Sequence, residues 1–325
     1  MIPIIHRTAL RRRTWTSQCH PRRLITRQYR ACQPLRNNGN DARLTDTGNV
    51  IEDDFAVLRD DYQAPRNPII LAHGLLGFDE LRLPGVPLPG VHYWHGISEA
   101  LAAKGVEVIT AEVPPSGRIE IRAQRLAEAI ERKAGGKSVN IIAGLDSRHM
   151  ISRMKPGNVK VLSLTTIASP HRGSAFADYV FTSIGPANIP KLYKVLDFFG
   201  LETGAFRQLT EEYMTEKFNP RTPDLEGVRY YSYGAAFDPQ LTSVFRHSHD
   251  IIEKAEGPND GMVSVASSKW GTYKGTLNHV SHLDLINWTN RLRWWWMWKL
   301  TGKARTFNAI AFYLSIADML AKEDL

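Results

Sequence analysis

Three stretches of the chain hold side chains suited to acyl-transfer chemistry. His73-Gly74-Leu75-Leu76-Gly77 follows the apolar run NPIILA, Asp260 lies in EGPNDGMVS, and His282 lies in HVSHLDLIN. Acyl transfer by a side-chain nucleophile needs a base to take its proton, an acid to orient the base, and N–H donors for the oxyanion. A carboxylate in a Gly/Pro/Asn turn, followed by a histidine on a late loop, fits the acid-then-base order. A His-Gly pair at the end of a strand lets the backbone turn sharply, so that the next amide, that of Leu75, faces a developing oxyanion. Each feature taken alone has a plainer alternative. The His-Gly pair can be a strand-ending turn, Asp260 a solvated carboxylate, and His282 a structural or exposed imidazole. Asp284, two residues past His282, would serve the loop's own geometry, a metal, or solubility alone.

The nucleophile is the missing part. No G-x-S-x-G occurs anywhere in the chain. Residues 139–149, VNIIAGLDSRH, read as a strand running directly into a helix, with only Ala143 and Gly144 at the joint. Ser147 falls inside the helical part, with no strained turn to project its hydroxyl. Ser116 and Ser174 are loop serines with no better claim.

The elements that must position these groups follow from periodicity. NPIILAHG, VEVITAEVPP, SVNIIA, VKVLSLTTIAS and GVRYYSYGAA read as strands, and GMVSVASSKW as the lead into a sixth. HYWHGISEALAAKG and RIEIRAQRLAEAIERKAGG read as helices ended by glycine, and a further helix runs from about Asp146 to Met154. Strands alternating with helices of this length predict a mostly parallel sheet with helices on both faces. Residues 174–225 show aromatic-rich helical patterns and no strand, as expected of an inserted helical cap. Residues 41–66 are polar and acidic and read as a linker and approach segment, so the domain proper is expected over 67–325.

The formal net charge is +8, yet residues 1–40 hold nine Arg and no Lys, Asp or Glu, so the rest is close to neutral. A near-neutral body argues against nucleic acid, which needs a basic face on the folded domain. The Arg-rich, acid-free N-terminal segment has the composition of a mitochondrial targeting sequence and lacks the apolar run of a secretory signal. Both cysteines, Cys19 and Cys32, fall within it, which leaves no disulfide or Cys-based metal site beyond it. No stretch reaches the length of apolar residues that spans a bilayer. In RLRWWWMWKL (291–300) four tryptophans stand among basic residues, which suits a lipid interface or a last helix packing its aromatics on the sheet.

From about Asn67 to Trp298 the chain resembles the true lipases of the Pseudomonas and Burkholderia type, and more closely the fungal mitochondrial triacylglycerol lipases. The resemblance rests on HGLLGFD, GVHYWHGISEAL, GLDSRHMISRMKP, TTIASPHRGSAFADY, VRYYSYG, NDGMVSVASSKWG and SHLDLIN, in that order. It implies an α/β-hydrolase fold and hydrolysis of long-chain acylglycerols or other ester lipids, with work at a membrane or lipid-droplet surface. It also implies Asp260 as the triad acid, His282 as the base and Leu75 as an oxyanion donor. Such lipases carry His-Ser-x-Gly between the strand's last small residue and Gly-Leu-Asp; here Ala143 joins Gly144 directly, and nucleophile and second oxyanion donor are both gone. The expectation is a chain without esterase activity, through a misplaced or alternative splice junction; the alternative is a non-catalytic module that binds lipid or protein. Bacterial relatives hold a structural calcium near the histidine, and Asp238 and Asp284 fall where its ligands would be; Trp288 stands where an amide side chain is expected, so ordinary surface aspartates are the plainer reading. No other cofactor is expected.

Overall fold

The computed structural model describes residues 44, 46–75, 80–81, 91–94, 96–183, 203–241, 243–287 and 307–325, all within the unit Gln33–Leu325. The N-terminal segment, residues 184–202 of the cap and the tryptophan-rich 291–300 lie outside the described residues.

Parallel strands buried on both faces need near-continuous apolar runs, and the centre of the sheet has them. The strands are β1 (Val50–Ile51), β2 (Ile69–Ala72), β5 (Val108–Ala111), β6 (Ser138–Ala143), β7 (Lys160–Ile167), β8 (Arg229–Ala236) and β9 (Thr272–Asn278). They form one sheet in the order β1-β9-β8-β7-β6-β2-β5, with every pairing parallel. A separate antiparallel pair, β3 (Glu80–Leu81) and β4 (Val91–His92), lies between β2 and the first helix in sequence.

Alternate residues of a strand face opposite sides. Ile69, Leu71 and Ile142 pack on one face with α1 (Ile97–Ala103) and α8 (Ala309–Lys322), through Ile97, Leu101, Phe312 and Ile316. Ile70, Ala72, Val139 and Ile141 pack on the other with α2 (Ile119–Ala134) and the helix after β6, through Leu126, Ile130, Met150 and Ile151. That helix is α3 (Leu145–His149), which continues over Met150–Met154 with i→i+5 hydrogen bonding. The expected glycine stop of α1 is present: Gly105 adopts φ +80, and the Gly105 and Val106 amides donate to Ala102 and Leu101.

One expectation needs correction. The segment read as a linker contributes β1, an edge strand whose Val50 and Ile51 pair with Thr276 and Leu277 of β9. GMVSVASSKW leads into the sixth long strand as expected, by way of a helical turn. Ser264 caps a short helix, α7 (Val265–Ser268), by accepting from the Ser267 amide, and the strand begins only at Thr272.

The described part of the cap is helical as expected: α4 (Ala175–Ser183), α5 (Thr203–Arg207) and a helical stretch over Tyr213–Arg221. α4 packs against α6 (Arg246–Glu256), whose Glu256 accepts the Ala175 amide at 2.5 Å. Among the described residues no helix is long and apolar enough to cross a membrane.

Candidate active site

From β2 the chain leads outward to β5, while from β6 it leads the other way to β7, so the connections diverge between β2 and β6. In open parallel sheets such a divergence opens a crevice at the carboxyl ends of the strands. The His73–Leu75 turn follows β2 there, and the Ala143–Gly144 joint follows β6.

Asp260 sits on a turn built by its neighbours. Asn259 accepts the Gly261 amide at 2.9 Å and donates to the Gly257 carbonyl, while Gly261 adopts φ +96 against the side chain of Phe245. The carboxylate is completely buried. Its Oδ1 accepts the Met262 and Val263 amides at 2.9 and 2.8 Å, and its Oδ2 lies 2.6 Å from Nδ1 of His282. The His282 amide also donates to the Asp260 carbonyl at 3.0 Å. Both loops are tied to the carboxyl end of β8, through Phe237 to Asn259 and Val280 to Ala236. Burial opposes a charge on the His282 imidazole, but the Asp260 carboxylate outweighs it by charge and hydrogen bond, so its pKa is raised above the usual histidine value. The pair has the arrangement in which a carboxylate fixes the tautomer of a base and balances its charge.

Where a nucleophile would stand, β6 keeps its pairing with β7 through Ala143 and Thr166. Gly144, at φ −127, is the only residue between strand and helix. The joint has no left-handed turn and no projecting hydroxyl. Ser147 is fully buried with an unpartnered Oγ. The Ser174 hydroxyl donates to the Met262 carbonyl at 2.8 Å. Leu75 packs its side chain on Ala177, Val180 and Phe206 of the cap. Asp284 serves its own loop, with Oδ2 accepting the amide and hydroxyl of Ser281 at 3.1 and 2.6 Å. Asp238 is exposed. Among the described residues no group of three or more His, Cys, Asp or Glu side chains could hold a metal ion.

Sequence reasoning missed Arg122, which is 1% exposed. Its guanidinium binds Asp146 at the start of α3 at 2.8 Å, the His73 carbonyl at 3.0 Å, and the Pro114 carbonyl. One cation thus ties together the turns after β2, β5 and β6. Burial pushes the Asp146 carboxyl up in spite of that partner. The signal was an arginine standing among Ile119, Ala123 and Leu126 on the buried face of α2.

The strand order and the acid–base pair at the carboxyl edge define an α/β-hydrolase. Among solved structures the chain is similar to the mature lipase BlEst2 of Bacillus licheniformis, with TM-score 0.55 and 18% identity over 77% of this chain and 96% of that one. It is similar also to the Staphylococcus hyicus lipase, with TM-score 0.54 and 19% identity over 81% and 98%. At such identities the likeness is one of fold. In sequence it is 38% identical over 319 residues to triacylglycerol lipase 2 of Saccharomyces cerevisiae, covering 83% of this chain and 96% of that protein. It is 29% identical over 272 residues to the triacylglycerol lipase of Vibrio cholerae, covering 71% and 83%. No family profile matches the chain. The chain belongs to the triacylglycerol lipase family.

Proposed function

We propose that this fold is the scaffold of a serine ester hydrolase for long-chain acylglycerols from which the nucleophile has been cut out, so that the chain does not turn ester lipid over. The observation that carries this reading is the Asp260–His282 pair at 2.6 Å beside a β6–α3 joint of one residue, Gly144. In an intact site, a serine on the elbow after β6 attacks the ester carbonyl while His282 takes its proton on Nε2. Asp260 holds Nδ1–H and balances the imidazolium, and amides at the elbow and at Leu75 receive the oxyanion. The alcohol leaves with the proton from His282, and water then releases the acyl group by the same steps. This chain keeps the base and its acid but gives them no hydroxyl to activate. Loss of a triad nucleophile alone lowers turnover on the order of 10⁶-fold.

The names of the relatives, triacylglycerol lipases, support the substrate class. The intact Asp260, His282 and HGLL favour excision at the level of splicing over old decay. The Arg-rich N-terminal segment supports a mitochondrial location.

The test is ester hydrolysis by this chain and by a form with His-Ser-Met-Gly inserted between Ala143 and Gly144. Turnover by the inserted form alone, abolished when the inserted serine is changed to alanine, is the expected result. If both forms fold and neither turns over, the catalytic reading fails and a lipid- or protein-binding module takes its place.

A further inference from the structure

α2 begins after the carboxyl end of β5, so its first turn lies on the same edge of the sheet as His282. There a cavity of about 460 Å³ opens between α2 and the cap, lined by Arg118, Glu120, Arg207, Gln208, Tyr213 and Lys217 among others. Its floor is polar and internally satisfied. Gln208, nearly buried, accepts the Ile119 amide at 2.7 Å and donates to Glu120 at 2.9 Å. The Tyr213 hydroxyl donates to the other Glu120 oxygen at 3.0 Å. Burial would push the Glu120 carboxyl up, but these bonds outweigh it and hold its pKa below the usual value, so it stays ionised.

The rim is cationic. Arg118, Arg207 and Lys217 are exposed, and among the described residues their side chains make no ion pair or hydrogen bond. The Arg118 guanidinium lies over Gly204, with Nε 3.3 Å from where a Cβ would stand, so the glycine leaves it room. Three cations face one carboxylate that already has its own donors, on a body whose charge beyond residue 40 is near zero. The positive end of the α2 dipole adds to the same field. Beside the cations Ile121 is 55% exposed; an apolar side chain next to exposed cations matches a surface of anionic headgroups over acyl chains.

We propose that this cavity docks the phosphate of an anionic phospholipid headgroup and holds the cap edge of the molecule on a membrane surface. Two guanidinium groups and an ammonium supply the donors a phosphate diester accepts. Docking here does not depend on the nucleophile and applies equally to the chain with or without its elbow.

The experiment is co-sedimentation of the full chain with phosphatidylcholine vesicles, with and without phosphatidylglycerol. The pocket variant is Arg118→Gln/Arg207→Gln/Lys217→Gln. A control, Arg132→Gln/Lys155→Gln/Lys160→Gln, removes the same charge at the opposite edge of the sheet. Thermal unfolding checks that all three proteins fold. The expected result is preference for the anionic vesicles, weakened about tenfold or more in the pocket variant and little changed in the control. Equal loss in both variants would mean that net charge alone acts, and the proposal falls. It falls also if the wild type shows no preference for anionic vesicles. If inorganic phosphate stabilises the wild type and not the pocket variant while vesicle binding is alike in both, the pocket takes free phosphate and membrane docking is overturned.

Discussion

Replacing Arg122 by leucine removes the one cation that ties three strand-end turns together. Asp146 would be left as a buried carboxylate with no cation beside it, a loss of roughly 3–5 kcal/mol for breaking a buried pair. The carbonyls of His73 and Pro114 would lose a charged donor, roughly 1 kcal/mol each. The single variant is therefore expected to lose roughly 5–7 kcal/mol, a large share of the roughly 5–15 kcal/mol that stabilises a domain. Arg122→Leu/Asp146→Leu takes away both charges, so its loss should be smaller than the sum of the single variants by about 2 kcal/mol or more. Urea unfolding of the four proteins measures this directly. Acid offers a second check on the sign. In Arg122→Leu the destabilisation comes from an ionised Asp146, so it should shrink as the pH falls and the carboxyl takes a proton. A loss below about 1 kcal/mol, or strict additivity in the double variant, would refute the idea that this ion pair anchors the turns.

Glu256 is expected to make stability fall with rising pH. Burial, with the charges of Glu211 and Asp178, raises its carboxyl to about 7 from an ordinary 4.5. The folded chain therefore holds a proton that the unfolded chain releases, and stability drops between those values by at most about 3 kcal/mol; Glu256→Gln should flatten that slope in thermal melts at pH 5 and 8. For His282, stability is present below the unfolded value, near 6.5, and is lost as pH rises through the higher folded one. The ring is 37% exposed, so solvent holds the effect under about 1 kcal/mol; imidazole NMR titration should show the pKa drop in Asp260→Asn, and an unchanged value would remove Asp260 as its partner. Gly261→Ala should cost roughly 2–3 kcal/mol, because φ is +96 and the new Cβ would stand 2.6 Å from Cβ of Phe245; a neutral result in urea unfolding would mean that the turn relaxes freely.

The centre of the fold was legible because IILA and SVNIIA are buried on both faces, so their composition alone separates them from helix. β1 was not legible: two residues in a polar, acidic stretch gain their strand conformation only from the edge of β9. The approach to β9 was legible in GMVSVASSKW, but the short helix that Ser264 caps ahead of it was not. The acid and base were legible from residue type and order, and the fold brings them into contact without reference to the missing serine. The choice among roles for Asp284 was not legible, since it depends on whether Ser281 folds back onto it. Arg122 was hidden for the opposite reason: its signal was present, but an arginine in an amphipathic helix is read as surface until its position on the buried face is counted.

The joint at Gly144 has a consequence for how such a protein persists. β6 stays in register with β2 through Ile142 and with β7 through Ala143, and α3 still packs against the sheet through the segment that follows it. No ladder bond or core contact of β6 depends on an elbow above it. If the elbow has been excised from a working lipase, quality control that samples exposed apolar surface would treat this chain as it treats the form that keeps the elbow. In that case protein abundance would not report hydrolytic capacity, and a reagent that reacts with the serine itself would tell the two forms apart.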